Sequence, residues 1–407
     1  MMAKTKPSWP RVAAPLAEYA EGFRTELTRL GYTPLTTAGQ MRLVSHMSRW
    51  LASEGLDMTE LTSSTIETYF AARRAAGYTN ERTPGAARRL MEYLRRVGAA
   101  PIPAEAVPGS ATEMLLARYK TYLAVERGLA ATTVDLNVRL VSPFLAEHTR
   151  EDGERVDLQG LTARQVGEFV VEQATRRPRS VKRIVSALRS FLGFCYVERL
   201  IDQPLAEAVP SPPGWTLTGL PKALSQSQVD ALLGSCDLQT ATGRRDLAIL
   251  TLLARLGLRA GEVAHLGLSD IDWHRGELVV RGKGNRLARL PLPWDVGERI
   301  ADYLRDGRPN SVEERTVFVG AQAPHRGLSS PGVTTVVAAA GRRAGLGTIG
   351  AHRLRHSAAT AMLAGGGSLR EIGDVLRQRR VMTTAVYAKV DLNALRTLAR
   401  PWPEEAR

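Results

Sequence analysis

Within residues 350–390, His352, Arg355 and His356 stand three and four residues apart, which puts them on one face of a helix. Tyr387 follows Arg355 by 32 residues, just past a cluster of arginines. A helix carrying His and Arg, followed by an isolated Tyr in a basic setting, is what phosphate-directed nucleophilic chemistry needs. A phenol titrates near pH 10 and is a poor nucleophile at neutral pH. It must be fixed in line with a phosphorus whose charge is already neutralised.

Two upstream places carry further candidates. Arg259 sits in a turn bounded by Gly257 and Gly261, and Lys283 sits at the tip of an expected hairpin. Each alone has an ordinary explanation. A turn Arg is usually a surface charge, a hairpin Lys a solubility device, and His and Arg on a helix face are common polar residues.

Other chemistries fail on spacing. Gly276, Gly282 and Lys283 do not have the separation of an ATPase phosphate loop, and Gly284 stands where Ser or Thr is required. His352 and His356 are four apart, but Arg353 occupies the place of a zinc protease's Glu and no third ligand is evident. No metal or cofactor is expected, and His356 reads as a structural hydrogen-bonding group beside the site.

The elements that must position these residues fall in a C-terminal domain, residues 224–390. Ser225 and Gln228 form a capping box. A helix is expected over 244–256, then the turn with Arg259, then another helix. A hairpin begins at Asp270, with strands over 277–281 and 287–292 around a Gly282–Asn285 turn. A further strand is expected over 316–320. Ser330 and Pro331 start the next helix, with Pro at the first helical position. A helix over 352–363 carries the His and Arg, Gly365–Gly367 breaks it, and Ser368 with Glu371 boxes the next. A last helix over 383–388 carries Tyr387. The tail, 391–407, places Leu392, Leu395 and Leu398 on one face, an apolar stripe able to pack on its own domain.

Upstream, residues 1–14 read as a disordered basic lead-in, 15–98 as a helical domain, 99–110 as a Pro-rich linker, 111–208 as a second helical domain and 209–223 as a second linker. The second helical domain echoes the first. Arg42–Ser45 recurs as Arg139–Ser142, Leu61-Thr62 as Leu161-Thr162, and Leu90–Leu94 as Leu188–Leu192, at offsets of 96 to 100 residues. Matches in the same order at a nearly constant offset read as a duplicated small helical domain.

The 407-residue chain carries a formal charge of +14, and only seven of its 55 basic side chains are lysines. Arg forks match phosphate oxygens in two-point contacts, so nucleic acid is the expected partner. Arg176, Arg177, Arg179, Lys182 and Arg183 form a basic run suited to a DNA backbone, though such runs are often only solvated. Two cysteines 41 residues apart suit a reducing cytoplasm. The first residues lack the apolar core of a signal peptide, and no apolar run reaches membrane-spanning length, so an intracellular protein is expected.

Taken together, the motifs resemble those of the tyrosine recombinases, the family of phage integrases and Xer recombinases. GLRAGEVAHLGLSDIDW resembles the family's first Arg motif, VRGKGNRLARLPL its hairpin, GAHRLRHSAAT its His-x-x-Arg motif and TTAVYAKV its nucleophile motif. The resemblance implies a mainly α chain with a small antiparallel sheet, in which two helical-bundle, SAM-like domains precede a mixed α+β catalytic domain. It implies Tyr387 as nucleophile, Arg259 and Arg355 on the phosphate oxygens, Lys283 as the acid for the leaving 5′ oxygen, and His352 assisting proton transfer or hydrogen-bonding the phosphate. Gln378 stands where the family commonly has His, so it can position but not titrate, and Arg377, Arg379 or Arg380 is the candidate source of the missing charge. The implied product is a 3′-phosphotyrosyl bond to double-stranded DNA at a specific site, made within a tetramer on DNA in which the tail's leucine stripe would pack on a neighbouring subunit, with accessory proteins or partner recombinases compatible. The extra first domain points to integration or transposition of a mobile element more than to chromosome-dimer resolution. A DNA-binding relative that has lost catalysis and a type IB topoisomerase-like activity are the alternatives.

Overall fold

The computed structural model describes residues 9–103, 109–150, 155–211, 223–282, 286–309 and 314–378. Lys283, Tyr387, the expected helix over 383–388 and the leucine stripe of the tail lie outside the described residues. Contact density divides the chain into two units, residues 102–216 and the remainder.

The first helical block contains α1 (Ala17–Arg29), α2 (Pro34–Ser53), α3 (Ser63–Ala75) and α4 (Arg88–Arg96). The second contains α5 (Ala111–Thr121), α6 (Ala131–Glu147), α7 (Ala163–Arg176) and α8 (Val181–Val197). Both blocks bury matching positions in separate cores: Phe23 and Tyr119, Leu27 and Leu123, Ile66 and Val166. Helix starts match as well. The Thr62 hydroxyl accepts the Thr65 N–H at the head of α3, and the Thr162 hydroxyl accepts the Gln165 N–H at the head of α7. Such caps satisfy amides that the first helical turn leaves without partners.

The C-terminal body contains α9 (Gln226–Gly234), α10 (Ala241–Leu256), α11 (Ala260–Ala264), strands β1 (Ile271–Asp272), β2 (Glu277–Gly282) and β3 (Arg286–Pro291), then α12 (Trp294–Asp306), α13 (Ser330–Arg343), α14 (Ala351–Ala364) and α15 (Leu369–Val375). The strands form one antiparallel sheet in the order β1-β2-β3. Pairing runs from Glu277 opposite Pro291 to Gly282 opposite Arg286. Leu278 and Val280 face inward, as period-two alternation requires. α10 is the central post, with Ile249, Leu250, Leu252 and Leu253 fully buried. In the same unit, the exposed pair Arg326 and Glu92 comes within 3.4 Å between the C-terminal body and the first helical block.

The two hairpin strands and α14 shift by a residue at their ends, and other details differ from the sequence reading. α10 begins at Ala241 rather than 244, because the Thr240 hydroxyl accepts the Gly243 N–H and caps it there. Residues 316–320 form no continuous strand. They make single bridges, Thr316 to Gly267 and Val319 to Gly327, because each end pairs with a different loop. Ser329 rather than Ser330 caps α13, which moves Pro331 to the second helical position. Helix α12 was not anticipated, although Val296, Ile300 and Tyr303 are buried at helical spacing.

Candidate functional site

An open cleft of about 700 Å³ lies in the C-terminal body, and Arg259, Glu262, Arg281, Thr334, His352 and Arg355 reach its wall. They come from the head of α11, the end of β2, the first turns of α13 and the first turns of α14. Three of the sequence-identified residues, Arg259, His352 and Arg355, therefore meet although nearly a hundred positions separate the first from the others.

The turn that delivers Arg259 explains its place. Gly257 ends α10 in the left-handed region, at φ 57°, where residues with a Cβ are disfavoured. The chain reverses, Leu258 enters the core, and Arg259 caps α11. Its backbone N–H donates to Glu262 Oε2 at 2.8 Å, and its guanidinium donates to Glu262 Oε1 at 2.6 Å. Glu262 is almost wholly buried, whereas the Arg259 side chain keeps 39% of its surface open to the cleft.

Among the described residues Arg355 is the largest fully buried side chain. It donates to the carbonyl oxygen of Gly257 at 2.6 Å and, through its other arm, to that of Leu376. Both carbonyls lie at helix C-termini, where unpaired oxygens carry partial negative charge. The buried cation thus ties the ends of α10 and α15 together while forming part of the cleft wall.

The end of α15 takes part in the same network. The Arg377 N–H donates to the Asp374 carbonyl at 3.0 Å and the Gln378 N–H to the Gly373 carbonyl at 2.8 Å. This is a Schellman ending, with Arg377 at φ 55° in the place usually held by Gly. The Arg377 side chain turns back and donates to Glu262 Oε2 at 2.9 Å. Its carbonyl oxygen accepts from the Arg259 guanidinium at 3.4 Å.

Burial pushes the Glu262 carboxyl up, but the Arg259 amide, the Arg377 charge and the Arg259 side chain outweigh it and hold the group below the ordinary carboxylate range. His352 is pushed down by loss of water and then by the Arg355 and Arg259 charges. Its ring meets that of His356 edge-on, with centroids 4.4 Å apart. His352 is therefore neutral at neutral pH, able to accept a proton or share a hydrogen bond.

Gln378 closes the Schellman ending and is not among the described residues of the cleft wall. The basic run Arg176, Arg177, Arg179, Lys182 and Arg183 is exposed at the corner between α7 and α8, in the other unit. Arg176 pairs with Glu172 at 2.7 Å. Among the described residues the other four engage no carboxylate. Glu262, Arg281 and Thr334 of the cleft wall carry no role in the sequence reading, although Glu262 holds the boxed position three after Arg259; Arg377 enters that reading only as one of three arginines able to supply the charge Gln378 lacks, and its αL turn is not revealed by spacing. No helix among the described residues is long and apolar enough to cross a membrane.

Comparison with known proteins gives two family models. That of the phage integrase family matches residues 222–393, and that of the phage integrase N-terminal SAM-like domain matches residues 116–199. Neither match reaches the first helical block. The chain is 40% identical over 398 residues to y4rA of Sinorhizobium fredii, which carries an integrase/recombinase name; the alignment covers 97% of this chain and 96% of the relative. It is 30% identical over 286 residues to the tyrosine recombinase XerD of Listeria monocytogenes, covering 68% of this chain and 94% of the relative. The fold is similar to that of the XerH site-specific recombinase in a post-cleavage complex with its difH substrate, with a TM-score of 0.55, 16% identity, and coverage of 74% of this chain and 99% of that one. A lambda integrase dimer bound to a core site gives a TM-score of 0.53 at 17% identity, covering 72% of this chain and 99% of that one.

Proposed function

Since the chain belongs to the phage integrase family of tyrosine recombinases, enzymes that cleave and rejoin DNA through a tyrosine intermediate, we propose that it is a site-specific recombinase whose nucleophile is Tyr387. The observation that carries the reading is the convergence of Arg259, His352 and Arg355 on one cleft.

In this reading a DNA phosphate enters the cleft and Arg259 holds its non-bridging oxygens, with Arg355 in the wall behind. The Tyr387 oxygen attacks phosphorus and the bond to the 5′ oxygen breaks. Neutral His352 takes the phenol proton, and Lys283 protonates the departing 5′ hydroxyl. The arginines stabilise the added charge of the transition state. The 3′-phosphotyrosyl bond keeps the phosphodiester energy, so a 5′ hydroxyl from another strand reverses the step without ATP. Gln378 positions but does not titrate.

The second helical block, with its SAM-like match and exposed α7–α8 corner, is read as the clamp that grips duplex DNA by charge neutralisation. The first block, with its matching core and caps, is read as a duplicate of the second. The near full-length match to y4rA, against two thirds of the chain for XerD, supports integration or transposition of a mobile element over chromosome-dimer resolution. Assembly as a tetramer on DNA, at the nucleoid, completes the proposal.

The test is trapping of the covalent complex. Duplexes selected from a randomised pool by binding to the full chain are nicked near the selected site and incubated with wild type and Tyr387→Phe, without metal or ATP. A protein–DNA adduct on a denaturing gel from wild type alone is expected. Specific binding by both proteins with no adduct from either would assign the chain to the DNA-binding relatives that do not cut.

A further inference from the structure

We infer that Arg377 is a positioning residue for the cleft: it neutralises Glu262 so that the charge of Arg259 stays available to a bound phosphate. This deepens the proposed function and rests on its assignment of Arg259 to the phosphate.

Glu262 makes the inference necessary. Its buried carboxylate takes the Arg259 guanidinium on one oxygen, and the Arg259 amide and Arg377 guanidinium on the other. Arg259 and Glu262 alone would form a neutral pair, a poor anchor for an anion. Adding Arg377 leaves the trio with one net positive charge. Because Arg377 and Glu262 are both largely buried and Arg259 is not, that surplus faces the cleft at Arg259.

The backbone supports the assignment. Arg377 holds a left-handed conformation that strains an L-residue and costs glycine little. A Schellman ending needs no side chain there. The Arg side chain instead bends inward to Glu262, and a second donor reaches the Val375 carbonyl at 2.8 Å. Its carbonyl takes a donor of Arg259, so one residue restrains both partners of the ion pair. Gln378, next in the chain, brings no charge to the position where the family commonly has His.

The experiment compares wild type, Arg377→Gly, Arg377→Lys and the double variant Glu262→Gln with Arg377→Gly, all as full chains. Gly suits the left-handed turn, so the fold is kept. Two readouts are taken: the rate of covalent adduct formation on the nicked duplex, and the rise in melting temperature caused by inorganic phosphate. Arg377→Gly should lose roughly tenfold to hundredfold in adduct rate, less than removal of a group that touches the transition state directly, with duplex binding held within a few-fold, and should lose most of the phosphate effect. Arg377→Lys should fall between it and wild type. The double variant, which removes the carboxylate along with its partner, should recover both readouts towards wild type; a merely structural role would make it worse.

An undiminished adduct rate in Arg377→Gly, or a further fall in the double variant, overturns the inference and leaves the recombinase reading intact. If wild type forms no adduct yet phosphate protection follows the charge of residue 377, the tyrosine reading fails and the role of Arg377 stands. Loss of both signals in wild type sinks both.

Discussion

The Arg355 guanidinium donates to the Gly257 carbonyl oxygen across 98 residues of sequence, at 2.6 Å. One arm of a buried cation thus meets the end of α10 and the other the Leu376 carbonyl oxygen at the end of α15. A Cβ placed on Gly257 would lie 2.5 Å from a Leu376 methyl, in a backbone conformation that L-residues rarely adopt. Gly257→Ala is expected to cost roughly 1–3 kcal/mol and Arg355→Met about 3 kcal/mol in urea unfolding of the C-terminal body. Both changes act on one junction, so the double variant should lose less than the two losses combined. Strict additivity would show that Arg355 and Gly257 are not coupled.

The histidine pair sets a pH dependence. His352 and His356 are both pushed below the ordinary imidazole value of 6.5, each first by burial and then by neighbouring charge. Between their lowered values and 6.5 the unfolded chain binds protons that the folded chain refuses. The penalty is absent above 6.5 and fully in force below the folded-state values, so stability rises with pH through that window. Replacing both with Asn should flatten that part of the slope of melting temperature against pH. An unchanged slope would assign it to other groups.

The two helical blocks offer matched cap substitutions. Thr62→Ala and Thr162→Ala each remove an oxygen that accepts the amide three residues on. Each should cost about 1 kcal/mol, in its own block, by denaturant unfolding followed with probes placed in α3 and α7. Equal losses support the reading of one domain written twice; a loss at one cap alone counts against it.

The α7–α8 corner is tested through salt. Arg177→Ala and Lys182→Ala should each weaken duplex binding to a similar degree across sequences and lower the slope of log affinity against log salt by about one. Arg176, already paired with Glu172, should matter less. An unchanged slope for Arg177 and Lys182 would move the clamp to another surface.

Much of the C-terminal body was legible in sequence because short-range chemistry writes it. Ser225 with Gln228 and Ser368 with Glu371 are true capping boxes, and the hairpin pairs from residue 277 as the alternation implied. What stayed hidden depends on distance. Residues 316–320 look like a strand by composition, but pairing partners decide strand formation, and here each end meets a different loop. Helix α12 hides behind Trp294, which is exposed, and Gly297, which weakens the apparent helical run. Arg259, His352 and Arg355 were named from their motifs, yet the roles of Glu262 and Arg377 need coordinates. Nothing local to either residue shows that a carboxylate at the head of α11 meets a cation at the end of α15.

The tie from Arg355 to both helix ends also acts as a keystone. One side chain sets how the end of α15 stands against the end of α10, and the end of α15 carries Arg377 to Glu262. A disturbance at Leu376 therefore reaches Arg259 through Arg377, whose carbonyl oxygen takes a donor of Arg259.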